Sequence, residues 1–192
     1  MKYPNKIVMV SPEYYDVIYQ INNHMDIQNK VDKELAFKQW TNLKSIYVDL
    51  GFSVIVLKGC EHYPDMVFAA NQIFTTSDGH TFLSNMKYPE RRGEVDYFKR
   101  FLKLGYAHQV DSNFEGMGDL IWDYQGGRLF GGFGLRTERT ALSEVSSISG
   151  HKIIELQLID SDFYHLDTCL SIISDEVALH VPKAFSSDGL TR

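Results

Sequence analysis

The sequence predicts an α/β fold built from one supersecondary unit used several times, and three observations predict it. Apolar strand-like runs alternate with helical patterns along all 192 residues. Three segments, DMVFAANQIF from Asp65, EGMGDLIWDY from Glu115 and HLDTCLSIIS from His165, each open on a polar residue able to do chemistry and run on into an apolar hairpin pattern. Those openings stand fifty residues apart both times. A period near fifty marks a repeated unit, and equivalent units packed around an axis place equivalent strand ends together. Asp65, Glu115 and His165 are therefore expected to open strands and to point into one shared pocket.

The elements follow in order. Residues 7–10 read as a short apolar strand, followed by the polar loop SPEYYDVIYQINNHMDIQNK. Asp32 can cap a helix over residues 33–50, with Ala36, Trp40, Leu43, Tyr47 and Leu50 as its apolar stripe and Gly51 after its end. SVIVL, residues 53–57, is a buried strand. The first hairpin has arms at 66–75 and 81–85 and turns at SDGH; a helix over 90–104 follows, with Val95, Phe98 and Leu102 on one face and Gly105 at its end. The second copy has a strand at 106–110, a hairpin turning at 124–127 and a helix from Thr137 to Gly150. The third has a strand at 153–158, a hairpin turning at 174–176 and a helix due to start at Ser186 or Ser187, both good caps. A helix with a cap and almost no body buries little surface, so the 192 residues are expected to be a single domain that is the N-terminal part of a longer protein.

Composition narrows the function classes. The formal charge of −6 argues against a nucleic-acid partner, because such domains carry basic faces to neutralise phosphates. No apolar run is long enough to span a bilayer, and MKYPNKIVMV is too short and polar for a signal peptide, so no membrane partner is expected. Cys60 and Cys169 cannot form a disulfide framework and read as free thiols of a cytoplasmic protein.

Each motif has a bland reading. In YHLDT, His165 and Asp167 would share one side of a strand, because side chains alternate with period two, and an imidazole beside a carboxylate is a proton-transfer unit. Alone, the motif is a histidine at a strand entrance. EGMGD offers carboxylates beside glycines that admit close approach to the backbone; alone it is a turn. PDMVFAAN carries Asp65 and Asn71 around an apolar stretch and alone is a strand. GGFGLRT, ending in Arg136 and Thr137, is a loop before a capped helix, and PERRGE is a charged helix start.

Together and in this order, the motifs resemble those of the guanidino-group-modifying enzymes: arginine deiminases, dimethylarginine dimethylaminohydrolases and amidinotransferases. The resemblance runs from about Val10 onward and includes VSPEYYDVIYQINNHM. It implies a pentein fold, an α/β propeller of five ββαβ units around a pseudo-fivefold axis, here incomplete at its C-terminus. It implies His165 as general acid/base and Glu115 as the carboxylate that contacts the guanidinium and supports the histidine. It implies Asp167 as a second guanidinium acceptor, Asp65 as holder of the substrate α-amino group, and Arg91 and Arg136 as holders of its α-carboxylate, with Arg92 a close rival to Arg91. Asn22 matches a loop position near the substrate. Asn71 stands where deiminases have an aspartate, so guanidinium binding should rest more on Glu115 and Asp167. The FAAN pattern resembles a bacterial subgroup that includes arginine dihydrolases.

The implied chemistry is attack by a cysteine thiolate on the guanidinium carbon of arginine or an arginine derivative, with water or an amine as final acceptor, and no metal or organic cofactor. That cysteine would lie beyond residue 192, so the fragment alone is expected to be inactive. Cys169 follows HLDT and would share the strand face of His165, but it matches a small strand residue of the family and not the nucleophile. Cys60, with His62 nearby, is too little for a structural zinc site. The alternative function is a non-catalytic binder of an arginine-like ligand or of a protein. An incomplete propeller also leaves an open sheet edge that invites assembly into a homo-oligomer.

Overall fold

In the computed structural model, which describes residues 4–189, the chain divides between Ala69 and Ala70 into two units. In the first, β1 (Lys6–Val10) and β2 (Ser53–Leu57) pair in parallel, joined by α1 (Lys33–Asp49). Asp32 caps α1 as expected, its side chain accepting from the Leu35 amide, and Gly51 takes a left-handed φ of 88°. The expected apolar stripe is not buried, however. Ala36, Trp40 and Tyr47 are half-buried, and Leu43 and Leu50 are exposed. A two-stranded sheet is too narrow to cover a seventeen-residue helix.

The second unit shows the repeat directly. β3 (Ile73–Thr75) and β4 (Thr81–Leu83) form an antiparallel hairpin, α2 (Pro89–Phe101) crosses over, and β5 (His108–Gln109) pairs with β4 in parallel. A single turn, α3 (Gly116–Asp119), leads into the next copy. There β6 (Leu120–Asp123) and β7 (Arg128–Phe133) form the hairpin, α4 (Arg139–Ser149) crosses over, and β8 (Ile153–Gln157) joins β7 in parallel. The third hairpin is β9 (Leu170–Ile172) with β10 (Ala178–His180). Ser186 accepts from the Gly189 amide in a turn, and the rest of the expected helix lies outside the described residues.

The strands are shorter than the apolar runs suggest. The stretch 66–72 is a helical turn and bends, not a strand arm, and only two residues of the expected 106–110 strand are extended. The shared local geometry lies in the turns that precede the hairpins. Asp65 sits inside the helical turn Pro64–Val67, Glu115 precedes α3, and His165 precedes the turn Leu166–Thr168. Each copy therefore opens on a helical turn, and the three polar residues stand at turns, not at strand ends.

One core serves both complete copies. Phe74, Phe82, Phe114, Leu120, Leu129 and Leu142 are essentially sealed from solvent within it. Each such side chain contributes on the order of 2 kcal/mol of burial. A second cluster of Leu156, Leu158, Leu166, Cys169, Ala184 and Phe185 lies under the third hairpin. The turn after His165 belongs to this second cluster through Leu166, and α3 packs against that turn. No helix among the described residues is long and apolar enough to cross a membrane.

Candidate active site

Glu115 and His165 meet in the second unit. Glu115 Oε2 lies 2.7 Å from His165 Nε2, with the side chains 1% and 5% exposed. The Arg136 guanidinium reaches the same carboxylate from the other side, Nη1 donating to Oε2 at 3.1 Å. Arg136 itself packs against two rings, its Cζ 4.6 Å from the centroid of Tyr88 and 4.5 Å from that of Tyr164.

Asn71 completes the group. Its Nδ2 lies 3.4 Å from His165 Nε2, and its Oδ1 accepts from Arg91 Nη1 at 3.0 Å. Arg91 pairs in turn with Glu94, Nη2 to Oε2 at 2.8 Å, and Glu94 also accepts from Gln72 Nε2 at 2.8 Å. The result is a buried polar chain from Glu94 through Arg91, Asn71, His165 and Glu115 to Arg136. In such a medium each charge is costly unless matched, and here each carboxylate is paired with cations, Glu94 with Arg91 and Glu115 with His165 and Arg136. Gly118 makes room for it: a Cβ there would stand 2.3 Å from Asn71 Nδ2 and 3.4 Å from the His165 ring.

The charges set the protonation states. Burial alone would raise the Glu115 carboxyl, but the hydrogen bond and charge of His165, with Arg136 and Arg91, overcome it and hold the group at about 2. Burial alone would lower His165, yet the Asp119 and Glu115 carboxylates outweigh that and the opposing Arg136, and its pKa is raised. The pair thus favours an imidazolium beside a carboxylate, the arrangement of a general acid.

Asp167 does not stand on a strand with His165. The chain turns through the 3-10 segment Leu166–Thr168, which leaves Asp167 exposed while His165 is buried. The same turn takes Cys169 away from the imidazole edge. Its thiol faces the carbonyls of His165 and Leu166 at 3.7 and 3.5 Å, and burial and Asp119 push it up to about 12. Such a thiol is a core group and not a nucleophile at neutral pH. The two arginines expected to hold a carboxylate are both engaged with internal carboxylates or amides. Arg92 is exposed, donating to the carbonyls of Met86 and Lys87. Asn22 and Asp65 belong to the first unit. Asn22 Oδ1 accepts from the His24 amide at 2.8 Å. Asp65 is buried in its turn, and burial together with the Asp65 charge raises the Tyr15 phenol.

Sequence reasoning missed Asp119, Thr137, Glu94 and Gln72. Asp119 and Glu94 were visible as the second acids of EGMGD and PERRGE, but their burial was not.

Comparison with known proteins places the chain in a family. The chain is 34% identical over 184 residues to the N(G),N(G)-dimethylarginine dimethylaminohydrolase of Mycobacterium tuberculosis, covering 95% of this chain and 60% of that protein. It is also 34% identical over 187 residues to the bifunctional arginine dihydrolase/ornithine cyclodeaminase ArgZ of Synechocystis, covering 95% of this chain and 26% of that one. It thus spans less than two thirds of the length of either relative. The product-bound N-terminal domain of ArgZ superposes with a TM-score of 0.89 at 31% identity, covering 98% of this chain and 70% of that domain. A variant of that domain is known covalently bound to a reaction intermediate. Residues 8–189, which include the whole Glu115–His165 group, match the family described as N,N dimethylarginine dimethylhydrolase, eukaryotic, and the chain belongs to that family, within the pentein superfamily.

Proposed function

We propose that this chain supplies the acid/base and guanidinium-binding part of an enzyme that hydrolyses arginine or an arginine derivative through a covalent cysteine intermediate. The observation that carries the reading is the buried 2.7 Å contact between His165 Nε2 and Glu115 Oε2, with Glu115 held ionised. A thiolate adds to the guanidinium carbon, and the imidazolium of His165 gives its proton to the departing nitrogen as the C–N bond breaks. Neutral His165 then takes a proton from water, whose oxygen adds to the amidino carbon. Collapse of that adduct breaks the C–S bond and releases the thiolate. Glu115 holds the planar cation by charge-assisted hydrogen bonds and favours the imidazolium. Water as acceptor is favoured over an amine by the hydrolase relatives.

Cys169 is unsuited to the nucleophile's role, being buried in the core with its thiol raised to about 12. As the family resemblance implies, the nucleophile is assigned to a cysteine outside the 192 residues. On this reading the two ββαβ copies and the third hairpin are units of one pentein propeller, the chain counts as one domain of it, and the protein works in the cytoplasm.

Calorimetric titration of the 192-residue chain with L-arginine, dimethylarginine and agmatine tests the binding half. Saturable binding of at least one, lost in Glu115→Gln, is expected; no binding of any overturns the reading. The chain alone should turn over none of them, and turnover that vanishes in Cys169→Ala would overturn the assignment of the nucleophile.

A further inference from the structure

The polar chain around His165 accounts for most of the buried charge of the second unit, but not for Asp119. That carboxylate is 1% exposed and lies at the end of α3, four residues after Glu115. Its Oδ1 accepts from the Leu166 amide at 3.1 Å, the peptide that follows His165. Its Oδ2 accepts from the Thr137 hydroxyl at 2.6 Å. The Thr137 oxygen in turn accepts from the backbone amide of Glu115 at 3.0 Å.

We propose that Asp119 is the positioning residue of the Glu115–His165 pair, its two oxygens fixing the backbone from which each side chain hangs, one directly and the other through the Thr137 hydroxyl. The pair is fifty residues apart in sequence, and its 2.7 Å contact needs both backbones placed within a few tenths of an ångström.

Three features set this apart from a simple staple. A hydroxyl has one proton, and Thr137 gives it to Asp119, so its direction is fixed by the acceptor: an amide in place of the carboxylate cannot accept on both arms. Both oxygens accept, so the bonded form is the ionised one. Burying an ionised carboxylate costs several kcal/mol in an apolar medium, a cost that a neutral staple would avoid. The charge that repays it is the imidazolium, and the Asp119 carboxylate is the foremost influence raising His165. The other charged groups that act on His165 are Glu115, Arg136 and, at the surface, Asp167. Finally, the neighbouring strand is cut back to admit the device: a Cβ on Gly132 would stand 2.9 Å from Leu166 Cβ and 3.2 Å from Asp119 Oδ1.

The inference rests on the proposed function only for the role of the pair, and its test uses no arginine. The His165 ring is followed by nitrogen NMR against pH in the 192-residue chain, together with hydrogen exchange at the Glu115 and Leu166 amides. Asp119→Asn should move the His165 midpoint down by about one unit, and Leu166 should exchange at least about tenfold faster. Thr137→Val should speed exchange at Glu115 by a similar factor, and Thr137→Ser should restore it. A role confined to stability would lower the melting temperature and leave the His165 midpoint in place. The proposal fails if folded Asp119→Asn titrates like the parent chain. Should that variant not fold, the valine and serine variants decide, and equal exchange at Glu115 in both would overturn it.

Discussion

Arg136 lays its guanidinium on the Glu115 carboxylate at 3.1 Å while the rings of Tyr88 and Tyr164 both pack against it, 4.6 and 4.5 Å from Cζ. The carboxylate proposed to grip a substrate guanidinium is thus already gripped by one of the chain's own. Any incoming cation must share or displace that contact. The ring contacts, the ion pair and the burial act on one planar group, which is why lysine is a poor substitute there.

Arg136→Ala should therefore lower stability by about 3 kcal/mol, since it strands a buried carboxylate with one partner fewer and opens a gap beside two rings. It should also raise the His165 midpoint further, because the cation opposing the imidazolium is gone. Urea denaturation and a histidine titration by NMR measure both. An unchanged urea midpoint with an unchanged His165 would show that the guanidinium does not sit on Glu115.

Gly118→Ala should be costly for a different reason. The added methyl meets Asn71 Nδ2 at 2.3 Å, and that amide is pinned on its other side by Arg91. It cannot yield without breaking the chain that ends at Glu94. A loss of about 1–3 kcal/mol is expected, with a changed His165 ring signal, while Gly105→Ala, where a methyl meets open space, serves as the control. Equal melting temperatures for the two variants would contradict the close approach.

The repeat was legible because its markers are chemical: three polar residues at intervals of fifty, each ahead of an apolar run, survive in the sequence whatever the local backbone does. The backbone at those markers was not legible. Period-two alternation in HLDT suggested a strand, and the chain makes a 3-10 turn, because the Leu166 amide is taken by the Asp119 side chain rather than by a strand ladder. That bond joins residues 47 apart, and no local pattern announces it. Arg91 shows the same limit. PERRGE reads as a solvated helix start, yet Arg91 and Glu94 are buried as a pair on its inner face, with Asn71 as the third member. The stripe of α1 failed in the opposite sense, since apolar spacing shows which face would be covered and cannot show that a cover is present.

The buried pair also fixes how stability should vary with pH. Glu115 is held at about 2, below its ordinary value, so its contribution is complete above about pH 4.5 and is lost as pH falls toward 2. A shift of that size corresponds to about 3 kcal/mol. His165 is raised, so its contribution is complete below about pH 6.5 and fades as pH climbs through its folded value. The two windows overlap between about pH 4.5 and 6.5. Asp119 works against Glu115 at the acid side. Burial raises it to about 6, so its protonation between about pH 6 and 4 adds to folded-state stability even as it weakens the Thr137 and Leu166 bonds. Urea midpoints at pH 3, 5.5 and 8.5 for the parent chain and Glu115→Gln should differ most at pH 5.5 and by less at pH 3, where part of the Glu115 contribution is already lost. Convergence at pH 5.5 would mean that Glu115 and His165 are not a charged pair in the folded protein.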